Sequence, residues 1–183
     1  MDAVEAAFAA HPRVEFLPAS VRSQASHDHP LPIAAGQANS QPSTVADMLR
    51  LLKVRPGQRV LDVGAGSGWT TALLAHLVGP SGEVIGVELE PELVRFGSAN
   101  LAARDQPWAS IRQARPDLLG APDLAPYDRI LVSAEPRELP AELVDQLADD
   151  GILVIPVAGT MLRVTNPGGT VTRHGRYRFV PLR

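Results

Sequence analysis

Residues 61–68, with the sequence LDVGAGSG, form an apolar run that passes into a loop of alternating glycines. Apolar residues at helical spacing follow in residues 69–78, so the glycines join a strand to a helix. Glycine lets the backbone turn tightly, and without a Cβ it lets a ligand approach closely. The helix N-terminus adds free N–H groups and a partial positive charge. The stretch therefore predicts the first strand–loop–helix unit of an α/β fold, with a ligand-binding loop at its centre.

Strand-like and helical patterns alternate on both sides of this loop. Such alternation predicts parallel strands that are covered by helices on both faces. Near the end of the chain, Asn166-Pro167-Gly168-Gly169 favours a hairpin turn instead. We therefore predict an α/β fold with a doubly wound, mainly parallel sheet and a C-terminal antiparallel hairpin. The predicted helices span residues 2–10, 42–53, 69–78, 91–103 and 140–147, and the predicted strands after the loop span residues 83–90, 108–113, 127–134, 152–158, 160–166 and 170–180.

Two segments are predicted to interrupt this regular pattern. Residues 11–41 contain four prolines and are expected to be irregular. Asp149-Asp150-Gly151 is expected to separate the helix over residues 140–147 from the strand that follows it.

Length and composition narrow the class of protein. The chain has 183 residues, which predicts a single domain over residues 1–183. The absence of cysteine excludes disulfides, thiolate metal sites and cysteine nucleophiles. A net charge of −3 argues against a general nucleic-acid binder, and no apolar run is long enough to span a membrane. The N-terminus lacks the features of a signal peptide. We therefore expect a cytoplasmic, monomeric protein without nucleic-acid or membrane partners.

Two acidic residues accompany the glycine loop. Asp62 lies two residues before Gly64, and Glu88 ends the next predicted strand, where a carboxylate can accept both hydroxyls of a ribose. Taken singly, these features are also compatible with a tight turn, a helix cap and a solvated strand end. Together they favour a nucleoside cofactor. The G-x-G-x-G spacing with a preceding acid differs from the nicotinamide pattern and indicates S-adenosylmethionine, whose sulfonium and amino-acid groups are compatible with a nearby Asp.

Four parts of the chain together resemble the protein-L-isoaspartate O-methyltransferase family. The first and last parts are distinctive, whereas many methyltransferases share the glycine loop. The resemblance implies a Rossmann-like methyltransferase fold. It also implies methyl transfer from S-adenosylmethionine to the free carboxylate of L-isoaspartyl residues in damaged proteins and peptides, with S-adenosyl-L-homocysteine as the product. The four parts are residues 30–33 with 36–42, residues 61–69, residues 125–134, and residues 154–157 with 178–182.

The resemblance also implies roles for individual residues. Residues 1–41 would form the substrate-side segment, and residues 42–183 would form the cofactor-binding core and closing strands. Ser40 is implied to be the catalytic residue that contacts the substrate carboxylate; alternatively, residues 39–41 only cap the following helix. The expected substrate-binding residues are Asn39 and Gln41, together with Ser133 and Ala134, which follow a strand at the edge where ligands bind in open α/β sheets. The expected cofactor-binding residues are Asp62, Gly64, Ala65, Gly66, Ser67, Gly68, Glu88, Leu89 and Asp117.

The chain departs from the family pattern at several positions. Arg115-Pro116-Asp117 stands where the family usually has Gly-Asp-Gly, so the acid that contacts the adenine amino group is displaced. The cofactor loop ends in Trp69 rather than the common tyrosine, and Ser43 replaces a frequent aromatic residue.

Other readings of the sequence stay open. The chain is alternatively a methyltransferase for a different carboxylate, on a dedicated peptide or a small molecule, or a non-catalytic S-adenosylmethionine-binding protein. His27-Asp28-His29 suggests a metal site less strongly than an exposed polar turn, and we expect no metal. Residues 151–183 contain five arginines and no acid, which either attract acidic peptides or form a solvated strand face.

Overall fold

The structure is a computed structural model that describes residues 1–183. The N-terminal part packs two helices around an irregular segment. As predicted for residues 11–41, that segment has no α-helix or long strand, and it contains three short 3₁₀ turns and a two-stranded antiparallel ladder. The elements of this part are helix α1 (Ala3–Ala10), strand β1 (Leu31–Pro32), strand β2 (Ala38–Asn39) and helix α2 (Pro42–Leu52).

The remainder of the chain builds one seven-stranded sheet. Its strand order is β5-β4-β3-β6-β7-β8-β9; the first five strands are parallel and the last two are antiparallel to their neighbours. The predicted fold class is therefore confirmed. The elements are β3 (Arg59–Val63), α3 (Trp69–Val78), β4 (Glu83–Glu88), α4 (Pro91–Ala102), β5 (Ala109–Gln113), β6 (Tyr127–Val132), α5 (Ala141–Val144), β7 (Leu147–Val157), β8 (Thr160–Thr165) and β9 (Thr170–Arg176).

The strand order reverses next to β3. The chain passes from β3 outward to β4 and β5 and then returns to place β6 on the other side of β3, with Val63 opposite Val132. In an open α/β sheet, a crevice opens at this point beyond the carboxyl ends of the strands. The topology thus brings the glycine loop after β3 next to Ser133 and Ala134 after β6.

Aliphatic cores cover both faces of the sheet. One core packs helices α1, α2, α3 and α4 against one face of the strands and includes Leu49, Leu73 and Val154. The other core lies beneath α5 and the connection before β6, around Ile130, Leu143 and the fully buried Tyr127. Side chains alternate between the faces of a strand, so β3, β4, β6, β7 and β8 each contribute to both cores. The longest helix, α4, has 12 residues, and no helix has the length and apolarity needed to cross a bilayer.

The end of the predicted helix over residues 140–147 was wrong. Helix α5 stops at Val144, and β7 begins at Leu147 and runs through Asp149-Asp150-Gly151. The pairing with β6 shifts register between Tyr127–Leu147 and Arg129–Ile152, so these polar residues form a bulge within the strand. A bulge accommodates residues that resemble a turn in the sequence, because the side chains of Asp149 and Asp150 stay exposed there.

Candidate active site

The glycine loop makes a tight turn between β3 and α3. The N–H groups of Gly64 and Ala65 both donate to the carbonyl of Val87 on the neighbouring strand, at 2.9 and 3.1 Å. Gly64, Gly66 and Gly68 have φ angles of 83°, 52° and 84°, which residues with a Cβ rarely adopt. The three glycines of the motif are therefore required by the backbone of the loop itself.

Helix α4 packs directly against this loop. A Cβ on Gly97 would lie 2.6 Å from the carbonyl oxygen of Gly66, and one on Gly68 would lie 2.9 Å from the carbonyl oxygen of Gly97. Gly97 was missed in the sequence, although an isolated glycine inside a helical pattern indicates a close packing contact. Asn100, one turn further on, donates from Nδ2 to the carbonyl of Ser67 at 2.9 Å.

Glu88 connects the end of β4 to the loop. Its carboxylate accepts the N–H of Gly66 at 2.9 Å through Oε2 and the N–H of Glu90 at 3.0 Å through Oε1. These bonds hold the buried carboxylate in one orientation at the wall of a cavity.

That cavity occupies the crevice at the carboxyl ends of β3, β4 and β6. Its volume is about 260 Å³. Among the expected cofactor-binding residues, Gly64, Glu88, Leu89 and Asp117 line it, and Ser133 and Ala134 close it on the other side. Asp117 lies on an exposed segment, where hydrogen bonding to Arg115 lowers the pKa of its carboxyl group. We call this space the donor cavity.

A second cavity, of about 670 Å³, opens beside the first. Ser40 and Gln41 line it, together with the chain segment that follows β9. Ser133 lines both this cavity and the donor cavity. Ser40 also faces a narrow gap of about 20 Å³ whose opposite wall contains Ala65, Gly66 and Ser67. Ser133 lines this gap as well, so it borders all three spaces, whereas Ser40 borders the second cavity and the gap. We call the second space the acceptor cavity.

Comparison with known proteins identifies the family to which this architecture belongs. The family model described as Protein-L-isoaspartate(D-aspartate) O-methyltransferase (PCMT) matches residues 1–182. The chain belongs to the PCMT family. The resemblance seen in the sequence is thereby confirmed.

Individual PCMT relatives cover nearly the whole chain. Protein-L-isoaspartate O-methyltransferases from Methanopyrus kandleri and Methanocella arvoryzae are both 43% identical over 178 residues, which is 93% of this chain and 79% and 93% of theirs. A crystal structure from Plasmodium falciparum, described as a PCMT in complex with S-adenosyl-L-homocysteine, is similar with a TM-score of 0.85 and 28% identity. The match covers 100% of this chain and 91% of that chain.

Within this PCMT chain, Asp62 does not reach the donor cavity. It is fully buried, and its Oδ2 accepts hydrogen bonds from the hydroxyls of Thr70 at 3.0 Å and Thr71 at 2.8 Å. Burial raises the pKa of its carboxyl group to about 6. Leu61 and Val63 belong to the core on the other face, and strand alternation directs Asp62 toward α3. Its observed contacts anchor the start of α3 behind the loop.

Asn39 also differs from its expected position. It is buried rather than exposed to the acceptor cavity, whereas its neighbours Ala38 and Ser40 line that cavity. The alternation of side chains along β2 accounts for the difference. Asn39 instead donates from Nδ2 to the hydroxyl oxygen of Ser67 at 3.1 Å, which ties the N-terminal segment to the glycine loop.

Arg13 completes this connection and has no sequence motif that would reveal it. Its guanidinium is buried, donates to Asn39 Oδ1 from Nε and to four backbone carbonyls, and lies 5.7 Å from the centre of the Trp69 ring. Burial lowers its pKa to about 10, which leaves it protonated near neutral pH. The four carbonyls belong to His27, His29, Asn39 and Ser40.

Gln41 stands at the N-cap position of α2, but the alternative that the side chains of residues 39–41 cap this helix is wrong. No side chain of these residues accepts a hydrogen bond from the first turn of α2. Asp28, which lies 15 residues before Ser43 in the chain, accepts a hydrogen bond from this turn instead, because its Oδ1 accepts the N–H of Ser43 at 2.9 Å. Its Oδ2 accepts from Gln41 Nε2 at 3.2 Å. Ser40 therefore remains uncommitted to the helix and faces the acceptor cavity.

Proposed function

We infer that this chain transfers a methyl group from S-adenosylmethionine to the free α-carboxylate of L-isoaspartyl residues in damaged proteins and peptides. The observation that carries this inference is that Ser133 lines both cavities, while Ser40 lines the acceptor cavity and the narrow gap that it shares with Ser133 and the glycine loop. The products are S-adenosyl-L-homocysteine and a methyl ester, which closes to a succinimide with loss of methanol and without further help from the enzyme.

The donor cavity fits the methyl donor in its chemistry. The backbone of Gly64 forms part of its wall without a Cβ, and the fixed carboxylate of Glu88 is suited to accept both ribose hydroxyls. Leu89 offers an apolar contact to the base, and Asp117 is the acid nearest in sequence to the family's adenine contact. When bound, S-adenosylmethionine supplies an electrophilic methyl group on a sulfonium sulfur.

The acceptor carboxylate needs no base, because an α-carboxylate is already ionised near pH 7. The chain must instead align the carboxylate oxygen with the methyl group, and alignment alone can contribute about 7–11 kcal/mol. We assign this task to the hydroxyl of Ser40, which can donate a hydrogen bond to the carboxylate, and to Ser133 beside it. Gln41 lines the same cavity and is proposed to contact the peptide backbone.

The experiment compares methyl transfer from labelled S-adenosylmethionine to two peptides that differ only in isoaspartate against aspartate. We expect transfer to the isoaspartyl peptide alone. Ser40→Ala should lower kcat/KM roughly 10- to 100-fold, the effect of losing one hydrogen bond to a charged group. The control is Ser110→Ala, because Ser110 is exposed on β5 and lies outside both cavities.

Each failure has a distinct meaning. Equal transfer to both peptides would show that the acceptor cavity does not select isoaspartate. No transfer to either peptide, with binding of S-adenosyl-L-homocysteine retained in calorimetry, would favour a different carboxylate acceptor or a non-catalytic binding protein. The monomeric state, the cytoplasmic location and the absence of nucleic-acid partners also remain proposals, and analytical ultracentrifugation tests the first of them.

A further inference from the structure

Two arginines at the wall of the acceptor cavity have no partner within the chain. Arg176, the last residue of β9, and Arg178 both line this cavity and are exposed. Neither takes part in any of the chain's ion pairs or side-chain hydrogen bonds. Two other arginines of the C-terminal region are engaged, because Arg163 donates to the carbonyl of Leu51 and Arg183 pairs with Glu90.

The acidic groups in the same region form no ion pair with either arginine and have other hydrogen-bond partners. Asp47 lines the acceptor cavity, but its Oδ2 accepts the hydroxyl proton of Tyr177 at 2.9 Å. Glu135 accepts the backbone N–H groups of Gly159 and Phe179. Asp28 is held by the first turn of α2. The two guanidinium groups are thus free to bind a negative charge that enters with a ligand.

The position of the two arginines connects them to the reaction site. The chain continues from Arg178 to Val180, which lines both the donor and the acceptor cavity. Ser40 and Ser133 line the same acceptor cavity as the arginines. A peptide that presents its isoaspartyl carboxylate to Ser40 would therefore place flanking side chains near Arg176 and Arg178.

We propose that Arg176 and Arg178 form a subsite for acidic side chains that flank the isoaspartyl residue of the acceptor. A guanidinium group presents a planar set of donors that matches a carboxylate, so Asp and Glu are the side chains it binds best. The preferred acceptors are therefore isoaspartyl residues within acidic segments. This inference rests on the proposed function and adds a charge preference to it.

The test uses three isoaspartyl peptides whose two flanking residues are both Glu, both Gln or both Lys. We expect the wild-type kcat/KM to fall in that order, with the Glu peptide about 3- to 10-fold above the Gln peptide, since exposed ion pairs have modest effects. The ratio of kcat/KM for the Glu peptide to kcat/KM for the Gln peptide should fall toward one as salt is raised, because exposed charges are screened. Equal values for the three peptides at low salt would overturn the proposal.

Charge variants decide whether these two arginines cause the preference. Reversal of both charges, Arg176→Glu with Arg178→Glu, should invert the order of the Glu and Lys peptides, and replacement of both by Lys should keep it. Arg173→Glu is the matched control, because Arg173 is exposed on the same strand but does not line the cavity. An unchanged Glu-to-Lys ratio in the charge-reversed variant would assign the preference elsewhere and overturn the proposal.

The ratio also separates this proposal from a purely structural effect and from the proposed function. A variant that is merely less stable lowers kcat/KM for all three peptides equally and leaves the ratio as it is in wild type. Transfer by the wild-type protein to the Gln peptide reports isoaspartyl methylation by itself. If that transfer occurs and the three peptides have equal kcat/KM, only the charge preference is refuted.

Discussion

Arg13 donates a buried hydrogen bond of 2.6 Å from Nε to Oδ1 of Asn39, although the two residues are 26 positions apart in the chain. The amide nitrogen of Asn39 in turn donates to Ser67 in the glycine loop. One short network therefore connects the irregular N-terminal segment, the residue beside Ser40 and the loop at the donor cavity. No carboxylate forms an ion pair with Arg13, whose guanidinium donates to the side-chain oxygen of Asn39 and to four backbone carbonyls.

Removal of Arg13 should destabilise the protein strongly. Arg13→Ala leaves the Asn39 amide and several buried carbonyls without a donor, and each such group carries a penalty, so we expect a loss of roughly 2–4 kcal/mol in the free energy of unfolding. Urea unfolding measures this. Arg22→Ala is the control, since the exposed Arg22 donates to a single carbonyl, that of Leu17, and should cost well under half as much. Equal losses would show that the network is not structurally important.

Gly97→Ala should be destabilising in spite of the helical preference of alanine. In an exposed helix interior this change stabilises by about 1 kcal/mol. Here the added Cβ would lie 2.6 Å from the carbonyl of Gly66, so we expect a net loss of about 1–3 kcal/mol and a weaker affinity for S-adenosyl-L-homocysteine. Thermal unfolding and calorimetry check both effects. Ser98→Ala on the same helix is the control, and a stabilised Gly97→Ala protein would contradict the packing argument.

Glu88→Gln should weaken binding of S-adenosyl-L-homocysteine by about 10-fold or more, because a charged acceptor for the ribose hydroxyls is lost. Isothermal titration calorimetry measures the affinity directly. Glu83→Gln provides a control on the same strand, since Glu83 is exposed at the opposite end of β4 and pairs with Arg59. Unchanged affinity in Glu88→Gln would remove Glu88 from the donor site.

The buried Asp62 should make stability depend on pH. Its folded-state pKa of about 6 lies above the ordinary value of 3.8, so the folded protein binds this proton more tightly than the unfolded chain. The resulting stabilisation is complete below about pH 4 and is lost as pH rises through about 6, with an amplitude on the order of 3 kcal/mol. Burial is the main cause of the raised pKa.

Asp62→Asn removes this titration, and the comparison with wild type isolates it. Relative to the variant, the wild-type protein should lose unfolding free energy between pH 4 and pH 6, as measured by urea unfolding at each pH. Asp105→Asn removes an exposed carboxylate and serves as the control. A constant difference between wild type and Asp62→Asn across this range would contradict the assignment.

The elements that the sequence predicted correctly are those with a strong local signal. Two elements were confirmed to within two residues, the helix over residues 42–53 and the strand over residues 83–90. Apolar spacing defines both, and a proline marks the start of the helix. The boundary near Asp149 was wrong for the opposite reason, since a polar bulge and a turn have the same composition. The family resemblance supplied the role proposed for Ser40, which local patterns alone would have interpreted as part of a helix cap.

The sequence by itself determined the fold class, the glycine loop and the place of Glu88 at the end of β4, because hydrophobic periodicity and backbone preference are local properties. Only the tertiary structure decided that Val63 and Ser40 face the cavities while Asp62 and Asn39 point away from them. The face that a strand residue occupies depends on which elements pack against each side of the sheet. For the same reason the contact between Arg13 and Asn39, which depends on how distant segments pack, has no counterpart in the sequence pattern.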